Sequence, residues 1–448
     1  MRLLRQKDAD MTQGPIMSQL IQFAIPMMLG LLFQQLYNTV DIIVVGQFVG
    51  KAALAAVGST SSILNTLVGF SAGLATGSSV VISQCYGAHD AKGLRQAVHT
   101  TVGVTFILSV VFTALGTALV DPLLRLMSTP ADVFGEARIY LRIYFSGLIG
   151  LLFYNMGAGV LRAVGDSSRP LYFLIFSALL NIALDLLFVI GFHMGVAGVG
   201  YATILSQAIS AVLVLTVLTR EHSAYGIRWK ELRIHKDMLR RILSIGLPAA
   251  VQQAITSFSN VFVQSYVNHF GSACMAGWSS YNKLDAFLFI PPQAIGMAIT
   301  TFVGQNCGAD QMQRARKGVA KAIGMCVSIT AAMVAVVMLF ANTFIRMFTS
   351  EADVMAYGVR FIRMISPFYV ATGFNQIYAG ALRGIGNAKT PMAIMLFSFV
   401  LFRQVFLFAV KMLGNSLTWI SMAYPVGWIM CSTLLAIFYY RSKLCKEA

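Results

Sequence analysis

The sequence predicts an all-α polytopic membrane protein with twelve transmembrane helices in two six-helix bundles related by a pseudo-two-fold axis along the membrane normal. Three observations carry this. The 448 residues are 57% hydrophobic and 11% charged, where soluble proteins average roughly 25% charged. The mean hydropathy of +0.72 is too high for one anchor helix of about 20 residues to produce in so long a chain. Motifs also recur at one fixed separation, which marks an internal duplication.

Apolar runs of about 20 residues begin near residues 17, 53, 97, 134, 170, 195, 242, 274, 319, 355, 391 and 417, which gives twelve spans. None alternates with the period of two that a membrane barrel requires. The polar stretch Met1–Pro15 precedes an apolar run too long for a signal peptide, so the first run is read as a retained helix. The net charge of +16 lies in short connections between spans, which is the positive-inside pattern and not a nucleic-acid footprint. Lys and Arg concentrate on the side bearing both termini, so both ends are expected in the cytoplasm and the protein in the inner (plasma) membrane. The predicted segments are a cytoplasmic start 1–16, a first lobe 17–220, a basic linker 221–241 read as a solvated topology determinant, a second lobe 242–440 and a cytoplasmic tail 441–448.

The duplication is tested by register. Gln84-x-x-Gly87-Ala88 recurs as Gln305-x-x-Gly308-Ala309, and Leu161-Arg162-x-x-Gly165 with Pro170 recurs as Leu382-Arg383-x-x-Gly386 with Pro391, every pair 221 residues apart. Six spans per repeat is an even number, so both halves enter the membrane in one orientation around a central cleft. Such duplicated bundles suit alternating-access transport.

Ionisable side chains inside spans are costly and mark function. Asp41, Asp185 and Asp285 are the acidic residues placed there. Tyr37 and Gln34 share a helical face with Asp41, and Asn181 lies one turn before Asp185. Asp185 sits roughly 22 Å into a core ~30 Å thick and Thr203 comes about 12 Å down from the outer face, so Asp41, Asn181, Asp185 and Thr203 reach one depth. These oxygens suit a proton site and a Na⁺ site equally; a polar network that only fixes packing is the bland alternative. Asp41 and Asp185 map onto Phe262 and Phe406 in the second repeat, so ion coupling is assigned to the first half alone.

Gln34, Asn38, Gln253, Thr256, Asn260 and Gln264 are expected to line the substrate cleft, and Lys283, Asp285 and Arg403 are the intramembrane charges of the second half. For the charges a mutual structural pair is the first reading and substrate or proton binding the second. Pro26 and Pro248 remove backbone hydrogen bonds in the first and seventh spans and are expected hinges. No nucleotide-hydrolysis, metalloprotease or esterase motif occurs and the six cysteines form no metal motif, so the chain is read as no enzyme, without cofactor other than Na⁺ or H⁺ as the coupling ion.

Gln34-Gln35-Leu36-Tyr37-Asn38-Thr39-Val40-Asp41 with Val45-Gly46-Gln47-Phe48-Val49-Gly50 resembles the first helix of multidrug and toxic compound extrusion (MATE) transporters, and Gly304-Gln305-Asn306-x-Gly308-Ala309 and Leu382-Arg383-Gly384-x-Gly386 resemble later loops of that family. The resemblance implies a V-shaped twelve-helix exporter exchanging drug-like organic cations for Na⁺ or H⁺. The expected partners are that small-molecule substrate and the lipid bilayer, with no nucleic acid, and the chain is expected to be a monomer. It places Asp41, Asn181, Asp185, Thr203, Tyr37 and Pro26 in the first-lobe network of DinF-like members. The acidic residues of the NorM-like branch are replaced here by Thr256, Asn375 and Gln376. Rival readings are a flippase for a lipid-linked oligosaccharide, which draws on Arg403 and Lys283, an uncoupled channel or sensor, and, more distantly, an intramembrane enzyme.

Overall fold

The computed structural model describes residues 10–127, 129–414 and 416–446. Residues 1–9 of the predicted start and 447–448 of the predicted tail lie outside the described residues, as does the side chain of Phe262. Among the described residues the regular structure is entirely helical.

In the first repeat the helices are α1 (Ile16–Val44), α2 (Lys51–Gly87), α3 (Ala91–Leu126), α4 (Ala131–Ser146), α5 (Leu148–Ala163), α6 (Ser168–Leu186) and α7 (Gly195–Arg220). The second holds α8 (Lys236–Asn268), α9 (Ser272–Gly308), α10 (Met312–Leu339), α11 (Ala341–Arg346), α12 (Ala352–Ile365), α13 (Tyr369–Gly384), α14 (Lys389–Leu396), α15 (Arg403–Met412), α16 (Leu417–Tyr440) and the short α17 (Lys443–Lys446). Nine helices of the described residues are long and apolar enough to cross a membrane, and the α4–α5 pair, bent by 48°, makes a tenth span. The other two of the twelve are α8, whose polar stripe lowers its hydropathy, and α12–α13, the counterpart of α4–α5.

The 221-residue offset carries α2 onto α9 residue for residue and the limits of α4–α5 onto those of α12–α13. Its physical content is visible at one turn. Gly165 and Gly386 have φ of +92° and +89°, the left-handed conformation that closes a helix C-terminus and that glycine adopts without strain. At both turns the glycine N–H donates to an arginine carbonyl (Arg162, 3.0 Å; Arg383, 2.8 Å) and the next residue's N–H to a leucine carbonyl (Leu161 and Leu382, both 2.9 Å). Leu-Arg-x-x-Gly is therefore a helix stop written twice.

The chain forms two compact units, the first containing Leu29–Leu247 and the second Asp10–Met28 with Pro248–Ala448. This differs from the expected lobes 17–220 and 242–440, because the division falls within α1 and within α8. Pro26 and Pro248 stand beside those divisions, inside unbroken helices.

In the first unit the linker keeps most of its charged side chains exposed, as a solvated segment would, while its backbone is tied to α3. Arg228 N donates to His99 Nε2 (3.2 Å) and His235 N to Thr100 Oγ1 (3.1 Å) on α3, while Arg241 Nη2 donates to Gln84 Oε1 (3.1 Å). The start of α8 presses so close to α2 that a Cβ on Gly77 would lie 2.5 Å from Gly246 Cα. In the second unit the segment before α1 is held in the corresponding manner. Met11 N donates to Gln305 Oε1 (2.9 Å), and Asn306 Nδ2 and Arg314 Nε both donate to Met11 O (3.2 Å each). Met11 is fully buried. These donors and acceptors explain why Gln recurs at 84 and 305: each receives a hydrogen bond from the segment that leads into a repeat.

Candidate functional site: buried carboxylates in the first unit

Four helices of the first unit build the site. Small residues bring α1 against α6, since a Cβ on Gly30 would stand 3.6 Å from Leu174 and 3.8 Å from Leu171. The end of α1 then enters an apolar cluster in which Val44 and Val45 join Tyr140, Tyr144, Phe145, Val196 and Val199. The antiparallel pair α6–α7 is registered by Ser177 Oγ donating to Ser206 O (2.9 Å) and by Phe188 against Gly198. That register sets Thr203 level with Asn181.

Asp41, Asn181, Asp185 and Thr203 are all buried, Asn181 and Asp185 completely. The carboxyls of Asp41 and Asp185 lie within interaction range of each other, with Tyr37 and Tyr140 close to both and Tyr144 close to Asp41. Asp41 Oδ1, both oxygens of Asp185 and both polar atoms of the Asn181 amide are enclosed without a hydrogen-bond partner. Thr203 directs its hydroxyl hydrogen to Val199 O (2.9 Å), which leaves its oxygen lone pairs for another donor or a cation.

The chemistry of this arrangement is narrow. Two carboxyls in contact can hydrogen-bond only if a proton lies between them, and two carboxylates in a dry site require a cation. Carboxylate, amide and hydroxyl oxygens are the donors that hard cations prefer, so the set fits Na⁺ as well as H⁺. Among the described residues no three His, Cys, Asp or Glu side chains group as a transition-metal site would need.

Tyr140, Tyr144 and Gln207, whose side chain hydrogen-bonds to Tyr144, escape the reading of the sequence. Tyrosines at four-residue spacing on α4 look like an ordinary apolar face. Only the tertiary placement of α4 turns that face toward Asp41. Of the residues assigned to the cleft from α1, Gln34 is half-buried and Asn38 exposed.

The second-unit charges do not pair with one another as first read. Arg403, 2% exposed, donates from Nη1 to Asn260 Oδ1 (2.9 Å) and lies 4.5 Å from the Tyr424 ring centroid and 5.4 Å from that of Phe399. Asp285 accepts from Tyr281 Oη (2.9 Å), and Lys283 is exposed, 5.1 Å from the Phe348 centroid. Aromatic rings flank the two cations where a carboxylate was expected, and a phenol hydroxyl meets the one anion. Along α8, Thr256 donates to Gln252 O (2.7 Å) and Gln264 to Asn268 Oδ1 (2.7 Å), and Gln253 is exposed. Asn375 on α13 donates to Trp428 O (3.2 Å) and accepts from Ser432 (2.8 Å), so it serves packing.

Comparison with known proteins supplies the family. The MatE model matches residues 26–187 and again 248–409, once per repeat. The probable multidrug resistance protein YpnP of Bacillus subtilis is 32% identical over 405 residues, covering 89% of each chain. The probable multidrug resistance protein NorM of Thermotoga maritima is 26% identical over 452 residues, covering 97% of this chain and 94% of that one. A solved outward-facing multidrug resistance MATE family transporter of the MOP superfamily superposes with a TM-score of 0.92 at 25% identity, over 99% of both chains. Two copies of one family model in a duplicated helical membrane fold, with a relative this similar across nearly the whole chain, make the protein a member of the MATE family of transporters and not an enzyme.

Proposed function

We propose that the protein is a secondary antiporter that exports drug-like organic cations in exchange for Na⁺ or H⁺, with coupling at Asp41 and Asp185. The observation that carries this is the enclosed pair of carboxyls with unpartnered oxygens beside Asn181. A buried pair of this kind is stable only with a proton or cation supplied, so arrival and departure of that ion changes how α1 and α6 hold together.

In this reading ion entry from outside neutralises the pair, and α1 rearranges about Pro26, whose missing N–H leaves the carbonyl one turn earlier unpaired. Drug is released outward and the ion inward. Tyr37, Tyr140 and Tyr144 exclude water around the carboxyls. Both termini face the cytoplasm, the membrane is the inner membrane and the working unit is a monomer. The relatives' names support drug export, and the positive-inside distribution supports the orientation. The lipid-linked flippase gains nothing from the second unit, where Arg403 and Lys283 make separate contacts and form no joint cationic site.

The test is efflux of a fluorescent organic cation from proteoliposomes under an imposed Na⁺ or pH gradient. Transport driven by one gradient and lost in Asp41→Asn, with the variant still folded by circular dichroism, supports the reading. Undiminished gradient-driven transport in Asp41→Asn would sink it.

A further inference from the structure

Away from the carboxylates, the first unit contains a cleft of ≈ 490 Å³ between the first turns of α3 and the folded linker. Lys92, Arg95, Lys230 and Arg233 line it, with Glu231 as the one carboxylate on its wall. Glu231 is divided between Arg95 (3.6 Å) and Arg228 (3.3 Å). Lys92, Lys230 and Arg233 are exposed and have no carboxylate at ion-pairing distance among the described residues.

A segment that only sets membrane topology needs positive charge near the surface and no fixed shape. This one is fixed. Besides the bonds to His99 and Thr100, Ile234 packs onto α3 so closely that a Cβ on Gly103 would meet its Cγ1 at 2.9 Å. His99 Nε2 accepts the Arg228 N–H, so that nitrogen is unprotonated and the ring is committed to holding the linker. The backbone that carries the cations is therefore held in place around a space of small-ligand size before any ligand arrives, which lowers the part of the ordering cost that the loop would contribute.

We propose that this cleft binds a phosphate group, carried either by an anionic lipid headgroup or by a soluble phosphate compound. A phosphate offers several acceptor oxygens to Arg and Lys donors. A single carboxylate would leave most of the uncompensated charge unmatched. The site is separate from the coupling carboxyls and its occupancy is read without transport, so its failure leaves the antiport reading untouched.

Native mass spectrometry of the purified full chain tests it, with phosphatidylglycerol or cardiolipin added in one arm, phosphatidylethanolamine as the neutral comparison, and inorganic pyrophosphate titrated without lipid in another. Lys230→Gln with Arg233→Gln removes two exposed charges, and Arg316→Gln with Lys321→Gln removes two exposed charges elsewhere. Saturable lipid binding that weakens about 25-fold in the first variant, at about fivefold per charge removed, and little in the second, establishes a headgroup site. Saturable pyrophosphate binding with the same variant pattern establishes a site for a soluble phosphate compound. Equal weakening in both variants, or no saturable binding of either probe to wild type, overturns the proposal. Unchanged circular dichroism and melting temperature ensure that the variants report binding and not folding.

Discussion

Arg403 Nη1 and Asn260 Oδ1 meet at 2.9 Å and tie α15 to α8 inside the second unit. The bond is asymmetric in its consequences. Removing the acceptor strands a buried guanidinium, whereas removing the guanidinium leaves a neutral amide on a residue that is otherwise exposed. Asn260→Leu is therefore expected to destabilise the purified protein by about 2 kcal/mol, and Arg403→Met by less. Thermal melting in detergent ranks the two; the opposite order would show that the Tyr424 and Phe399 rings alone stabilise the charge.

Tyr144 stands beside Asp41 with Gln207 behind it, and acts on the carboxyl without being part of the pair. Tyr144→Phe keeps the ring and removes the hydroxyl. Groups placed this way around an ion site tune its affinity, so the ion concentration for half-maximal efflux should shift by about tenfold while maximal efflux is retained. A full loss of transport would make Tyr144 a direct participant.

Gly77 is where α2 and α8 come closest. Gly77→Val is expected to cost about 3 kcal/mol or more through forced separation of two backbones, visible as loss of folded protein in fluorescence-detected size exclusion. Gly58→Ala on the same helix has nothing within 4 Å of the added carbon and should be neutral.

Arg314 reaches Met11 O, Gln13 O (3.0 Å) and Gln19 Oε1 (2.8 Å). Arg314→Ala should release the segment before α1 and raise limited proteolysis at residues 10–14 by about tenfold, in the manner of a locally opened terminus, with the melting temperature nearly unchanged. Equal proteolysis would mean that the bonds from Gln305 and Asn306 suffice.

The twelve spans, the repeat and the buried quartet Asp41, Asn181, Asp185 and Thr203 are legible in the sequence because each rests on a periodic or chemical signal: run length, a constant offset, costly charge in apolar surroundings. What the sequence hides is tertiary. Nothing local distinguishes Tyr140 and Tyr144 from core aromatics, or shows that Arg403 is met by Asn260 and Tyr424 in preference to Asp285. The linker reads as solvated because its charges dominate its composition, and those side chains are exposed; what the composition does not show is that its backbone N–H groups at Arg228 and His235 find acceptors on α3. The π-helical turns Val45–Val49, Leu187–Gly191 and Phe397–Phe402 also carry no sequence signal. The first begins four residues after Asp41, the second two after Asp185, and the third ends next to Arg403, consistent with the tendency of such turns to accompany functional positions.

The division of α1 and α8 between the units bears on ancestry. Residues 29–220 are completed by 221–247, which the second repeat contributes, just as 248–448 are completed by 10–28 from the first. A single ancestral repeat of this design could not have closed on itself. Two separate copies of such a repeat would have to trade the segments that lead into them, through the first turns of α1 and α8, and their stability would depend on concentration. In one chain the exchange is intramolecular and independent of concentration, and the two copies are free to differ, one with carboxylates at 41 and 185 and the other with phenylalanine at 262 and 406.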